Sequence, residues 1–145
     1  MSSSSDSLTF KIGSASFQAR LRRDLAPRSC EYLLGLLPHR GQVIHARWSG
    51  EGLWSPLADS FPPGLLLSSE NATENPTPGQ VLLYAGERSV PELFIPYGIN
   101  RFACKDGPLQ GNPVISIKAR PEQLAELGRE VLWKGAKELH IEVSA

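Results

Sequence analysis

The run Leu8 to Leu21, LTFKIGSASFQARL, is the stretch from which the fold class follows. Leu8 to Ile12 alternates apolar and polar residues, as a strand with one buried face does. Gly13-Ser14 is a turn signal, and Ala15 to Leu21 alternates again, with Ala15, Phe17, Ala19 and Leu21 on one face. Together they predict an antiparallel hairpin that opens the domain. The same period of two recurs down the chain. Gln42 to Trp48 (QVIHARW) is read with Ile44, Ala46 and Trp48 inward and Val43, His45 and Arg47 on the opposite face. Leu53, Trp54 and Leu57 mark a short strand. Leu65 to Ser69, Gln80 to Tyr84, Glu92 to Tyr97, Pro113 to Ala119 and Glu138 to Val143 read as further strands, with a short one around Arg101 to Cys104. Pro96 marks the end of its strand as an edge or a bulge.

Only two segments carry helical spacing. Cys30, Leu33, Leu34 and Leu37 recur at i, i+3, i+4 and i+7, which predicts a helix over Arg28 to Leu37. Pro27 suits its first turn and Pro38 limits its end. The second helix is predicted over Pro121 to Trp133, with a stripe of Leu124, Leu127 and Val131. Glu122 and Glu126 lie toward its N-terminus and Lys134 toward its C-terminus, matching the helix dipole, and Gly135 suits the position just past the end. Trp133 is expected in the core. Eight or nine mostly antiparallel strands with two isolated helices predict a mostly β domain, a closed barrel capped at its ends.

Composition narrows the function classes. A chain of 145 residues matches one domain, here 8–145, after a Ser-rich tail over 1–7 that is expected to be disordered. Apolar residues at 41% and charged residues at 21% are ordinary for a globular protein and exclude a wholly disordered chain. The 13 Gly and 12 Pro make it turn-rich, as many short strands require. Fifteen basic residues balance fifteen acidic ones with no basic block, which argues against nucleic acid. No apolar run is long enough for a membrane-spanning helix, and the N-terminus lacks the basic and apolar regions of a secretion signal. Cys30 and Cys104, far apart, form neither a disulfide framework nor a CxxC pair. A cytoplasmic protein with free thiols and no membrane association is expected.

The segment Pro27 to Leu37 followed by Val43 to Glu51 (VIHARWSGE) resembles the first helix and following strand of cyclophilins. Over roughly residues 8 to 144 the chain resembles an uncharacterised family of short bacterial proteins with a cyclophilin-like fold. The landmarks, in order, are Arg47-Trp48-Ser49-Gly50, Glu70-Asn71, Pro76 to Gly79, Tyr97-Gly98, Gly111-Asn112 and Trp133 to Gly135. The resemblance implies an eight-stranded, largely antiparallel barrel closed by two helices. It also implies that Arg47 stands near the position of the cyclophilin catalytic arginine. The apolar stretch and Gln-Gly-Gly that follow that arginine in cyclophilins are replaced here by Trp48-Ser49-Gly50-Glu51. Prolyl isomerase activity is accordingly the least favoured expectation.

Several side chains bear chemistry. Arg47 carries a guanidinium suited to a carboxylate or polarised carbonyl, and is the first candidate; the alternative is a surface arginine paired with Glu51 or Glu70. Glu70, with Arg47, is the second candidate catalytic group, because a carboxylate beside an arginine at a barrel mouth can orient an amine or act as a base. Glu51, Asn71, Tyr97, His45 and Trp48 are the candidate ligand-binding residues. Asn71 equally suits turn chemistry, and the rings of Trp48, Trp54 and Tyr97 equally suit core packing. Three scattered histidines with no paired spacing make no metal site, and no cofactor motif is present. Cys104 near Lys105 and Arg101 reads as an inert loop thiol.

The expectation is a small-molecule pocket for an anionic or amide-bearing metabolite. A peptide- or partner-binding accessory module is the alternative. Exposed edge strands, common in such folds, make a homodimer the assembly to test.

Overall fold

The computed structural model describes residues 6–144. In chain order its elements are β1 (Ser7–Ile12), β2 (Ala15–Leu21), α1 (Pro27–Leu36), β3 (His39–His45), β4 (Gly50–Pro56) and β5 (Gln80–Tyr84). They continue with β6 (Glu92–Asn100), β7 (Ala103–Cys104), β8 (Gly107–Pro108), β9 (Asn112–Lys118), α2 (Pro121–Lys134) and β10 (Lys137–Val143). Eight strands close an antiparallel barrel in the order β1-β10-β3-β4-β6-β5-β9-β2, and β7 with β8 forms a separate small hairpin. The fold is the mostly β closed barrel with two helices that the periodicity predicts, with the eight barrel strands that the resemblance implies. Closure pairs each of the eight barrel strands on both sides, so the barrel itself has no free edge.

The opening hairpin pairs Phe10 with Phe17 and Ile12 with Ala15. Leu8, Phe10 and Ile12 enter the main core with Leu139 and Ile141 of β10 and Leu33 of α1. Each such fully buried side chain contributes about 1.5–3 kcal/mol. The stripe Leu124, Leu127, Gly128 and Val131 of α2 packs onto the same core. Gly128 is required where α2 approaches β6: a Cβ there would collide with the ring of Tyr97.

Several expectations are corrected. The predicted strand over Gln42 to Trp48 lies instead at His39–His45, and its faces are reversed: Val43 is fully buried while Ile44 is exposed. The cause is register, since His39 and Gly41 stand opposite the inward-facing Ile141 and Leu139 of β10. Leu65 to Ser69 forms no strand; Leu65 and Leu67 lie against the core, and Leu67 N–H donates to the Ala85 carbonyl. β6 runs past Pro96 to Asn100, because the β4 register shifts between Gly50 and Gly52 opposite that proline. Trp133 is exposed rather than core, since it points away from the Val131 stripe in the last turn of α2. Residues 1–5 of the expected tail lie outside the described residues. Ser7 already belongs to β1, and buried Asp6 accepts a hydrogen bond from Arg23 Nε at 2.7 Å.

A second, smaller apolar cluster lies on the other face of β5 and β6. Leu82, Tyr84, Phe94, Phe102 and Leu109 form it, with Ala46, Trp54 and Cys104 packed alongside. Alternation sets this division: Leu83, Leu93 and Ile95 join the main core, while Leu82, Tyr84 and Phe94 turn outward. The chain from Arg101 to Leu109 folds back over that outer face.

Candidate functional site

Phe102 anchors the overlying strap. Its ring stacks on Phe94 at 4.8 Å between centroids and meets Tyr84 edge-on at 5.9 Å. Buried Ser49 holds the start of the strap, with its hydroxyl donating to the Ala103 carbonyl at 3.1 Å and accepting from the Ala103 N–H at 3.0 Å. Arg88 holds the far end. Its guanidinium donates to the carbonyls of Pro108 at 2.6 Å and Asp106 at 3.0 Å. Between strap and sheet a cavity of about 260 Å³ remains, enough for one small metabolite. Trp48, Trp54 and Phe94 form its apolar walls, and Arg47, Cys104 and Lys105 also line it.

Glu92 lies deepest among the charged groups of this cavity, at 7% exposure. It is the first residue of β6, opposite Tyr84 of β5 and Pro56 of β4, and it alternates onto the same outward face as Phe94. Burial alone perturbs it, and pushes its carboxyl up to about 8. Among the described residues it makes no ion pair and no side-chain hydrogen bond offsets the burial. The group is therefore mostly protonated at neutral pH, a hydrogen-bond donor that becomes an acceptor on losing its proton. A hollow of about 330 Å³ between β2 and α2 is larger, but Gln123 and Glu126 on its wall are exposed. Size does not select the site; the unpaired carboxyl does.

The sequence-predicted residues fall into three places. Arg47 and Trp48 line the Glu92 cavity, both exposed. His45, Tyr97 and Glu51 gather near α2. The Tyr97 hydroxyl lies 2.7 Å from His45 Nε2, and His45 Nδ1 lies 2.8 Å from the Ala46 carbonyl, so Nδ1 carries the proton and Nε2 accepts from the phenol. Burial raises the Tyr97 phenol, with the Glu51 charge adding to it and Arg129 opposing. Glu51 accepts from the Ile99 N–H at 2.8 Å and packs on Gly98. Tyr97 therefore does not join Trp48 and Trp54 in one aromatic wall.

Glu70 and Asn71 are at the start of α1. The Glu70 carboxylate accepts from the backbone N–H of Arg28 at 2.9 Å and of Ser29 at 2.8 Å, and from the Ser29 hydroxyl at 2.7 Å. It serves as the cap that Ala26 cannot supply. Burial raises this carboxyl, but the hydrogen bonds from Arg28 and Ser29 together outweigh it and hold it below the usual range. Asn71 adopts φ 57° and donates to the Leu25 carbonyl at 2.8 Å. Arg47 and Glu70 thus line separate cavities and form no common catalytic pair. Glu70 also donates its N–H to Asn112 Oδ1, and buried Asn112 donates to the Ser29 hydroxyl and the Ser68 carbonyl. A residue read as part of a turn is the hub of this network.

Sequence reasoning missed Glu92. The available signal was its neighbours: in Glu92-Leu93-Phe94-Ile95 both alternating faces are apolar, so the strand is covered on both sides and its leading carboxyl shares the covered outer face. Cys104 lines the same cavity half-exposed, whereas Cys30 is buried, with its thiol pushed up to about 12 by burial. Among the described residues no group of three or more His, Cys, Asp and Glu side chains is placed to hold a metal. Among the described residues no helix is long and apolar enough to cross a membrane.

Residues 8–143 match the model of a family described as protein of unknown function, DUF3830. No curated protein matches the sequence. Among solved structures the fold is similar to that of McbB, in a structure of McbB in complex with tryptophan, with a TM-score of 0.71 and 22% identity. That likeness covers 95% of this chain and 45% of the McbB chain, so the chain spans less than half the length of McbB. The hypothetical protein AF2241 from Archaeoglobus fulgidus is also similar, with a TM-score of 0.56 and 12% identity over 99% of this chain and 98% of that one. At these identities the likeness is one of fold.

Proposed function

This chain belongs to the DUF3830 family of proteins of unknown function, and from that premise we propose that the cavity under the 101–109 strap binds a small metabolite on which Glu92 acts as an acid–base group. The observation that carries this reading is the Glu92 carboxyl, shielded from water, unpaired, and facing a cavity. Burying a carboxyl without a partner costs folding free energy and contributes nothing to the barrel, which is the usual mark of a functional group. A group titrating near neutrality can both give and take a proton at the working pH. Arg47 and Trp48 at the mouth support an anionic or amide-bearing ligand. The tryptophan bound by McbB, a protein of similar fold, supports a ligand of that size.

The eight-stranded barrel with two helices also supports the cyclophilin-like reading of the fold. Free Cys30 and Cys104 support a reducing, cytoplasmic setting. The small volume of the Glu92 cavity, about 260 Å³, favours a metabolite over an extended peptide.

The test is a thermal-shift screen of metabolites at pH 7 on the wild-type chain and its Glu92→Gln and Arg47→Ala variants. A ligand at 100 times its Kd adds about 2.7 kcal/mol, a shift of several degrees for a domain of this size. Hits weakened in Arg47→Ala, with turnover lost in Glu92→Gln, are expected. Hits unaffected by either substitution overturn the site. An empty screen with a co-purifying partner moves the assignment to the accessory-module alternative.

A further inference from the structure

The charges around the cavity are not balanced. Arg47, Arg88 and Lys105 are cations on its lining, and Asp106 is the one acid there besides Glu92. Glu92 is protonated near neutrality, so it does not offset them. Arg88 is engaged by the backbone carbonyls of Asp106 and Pro108. Arg47 and Lys105 are exposed, and neither forms an ion pair among the described residues. Two unpaired cations therefore stand at the mouth, while Glu92 lies deepest among the charged groups.

The walls supply the second constraint. Phe94 is fully buried between Gly52, where any Cβ would collide with its ring, and the stacked ring of Phe102, so it backs the wall. Half-buried Trp54, in register with Phe94 across β4 and β6, presents the aromatic surface of the cavity, and Trp48, 55% exposed, stands at the opening. Flat rings bordered by cations suit a flat ring that carries an anion. A carboxylate pairs with a guanidinium through charge-assisted hydrogen bonds, and a neutral amide leaves both cations uncompensated.

We infer that the ligand is an aromatic carboxylate, its ring against Trp54 and Trp48 and its carboxylate at the mouth with Arg47 and Lys105, an inference that rests on the small-molecule reading of this cavity. It chooses the anion over the amide, and gives the ligand an orientation.

The test is calorimetric titration of the full chain at pH 7 with indole-3-acetate, indole-3-acetamide and tryptamine, and with phenylacetate and its amide. Each acid is expected to bind at least about tenfold tighter than its amide, with tryptamine weakest. In an Arg47→Ala, Lys105→Ala double variant that preference is expected to collapse to within about twofold. Both side chains are exposed, so the variant keeps the fold. Amides or tryptamine binding as tightly as the acids overturn the charge assignment; if Trp54→Ala still weakens them, the cavity remains a small-molecule site. A preference that persists in the double variant overturns the assignment to Arg47 and Lys105. No binding by either acid at 10 mM overturns the aromatic-carboxylate class, and the metabolite screen then decides the cavity separately.

Discussion

Arg88 and Glu92 line one cavity without pairing. The guanidinium is held by the carbonyls of Pro108 and Asp106, and the carboxyl is left with burial as its sole perturbation. An ion pair between them would neutralise both and leave no reactive group. Arg88 instead holds the strap through the two carbonyls, and Glu92 is left to burial alone.

The pH dependence of stability tests this. The Glu92 carboxyl rises from an ordinary 4.5 when unfolded to about 8 when folded, so between those values the native state holds the proton that the unfolded chain releases. Its contribution to stability is fully present below pH 4.5, is lost by up to about 1.4 kcal/mol per pH unit as pH rises toward 8, and is flat above. Glu92→Gln removes this slope. Chemical denaturation at pH 5 and pH 8 is expected to show the variant gaining on the wild type as pH rises. An unchanged difference would refute the buried, unpaired carboxyl.

The strap gives a thiol signal. Native protein is expected to react with an aromatic disulfide reagent at one cysteine, Cys104, and at both only in denaturant, since Cys30 is fully buried with its thiol at about 12. Arg88→Ala removes two charge-assisted hydrogen bonds from the strap, each of about 1.5–3 kcal/mol. Faster labelling of Cys104 and lower amide-exchange protection over 103–108 are expected. Unchanged labelling would show that Arg88 does not hold the strap.

Glu70 is expected to behave as a cap. Glu70→Ala should cost about 1–2 kcal/mol, near the upper range for an N-cap loss. Because its folded carboxyl lies below the ordinary value, its contribution is present above that value and is lost as pH falls through the folded one. The gap between variant and wild type should therefore narrow in acid. Ligand affinity in the Glu92 cavity should stay unchanged, and a large loss of affinity would return Glu70 to the site.

Two helical glycines should respond with opposite signs. In α1, Gly35 has nothing within 4 Å of an added Cβ, so Gly35→Ala should stabilise by about 0.5–1 kcal/mol through helix propensity. In α2 the same gain at Gly128 is overridden by collision with the Tyr97 ring, and Gly128→Ala should destabilise by about 1–3 kcal/mol. Thermal melts of the two variants decide it. A stabilised Gly128→Ala would show that α2 can stand further from β6.

The sequence by itself determined the elements whose signal is local. The opening hairpin, both helices within a residue at each end, and β5, β9 and β10 within a residue or two follow from periods of 2 and 3.6, which any window of the chain displays. It also marked Arg47 and Trp48, two of the cavity residues. Only the tertiary structure decided which face of β3 is inward, because the register against β10, about a hundred residues away, sets it. It likewise parted Glu70 from Arg47 and made Asn112 a hub, through hydrogen bonds that join segments more than forty residues apart. Glu92 is the clearest case. A glutamate at the head of a strand is ordinary in sequence, and becomes a buried proton donor only in the folded barrel. The dielectric that shifts a carboxyl is a property of everything packed around it, and no local pattern encodes that.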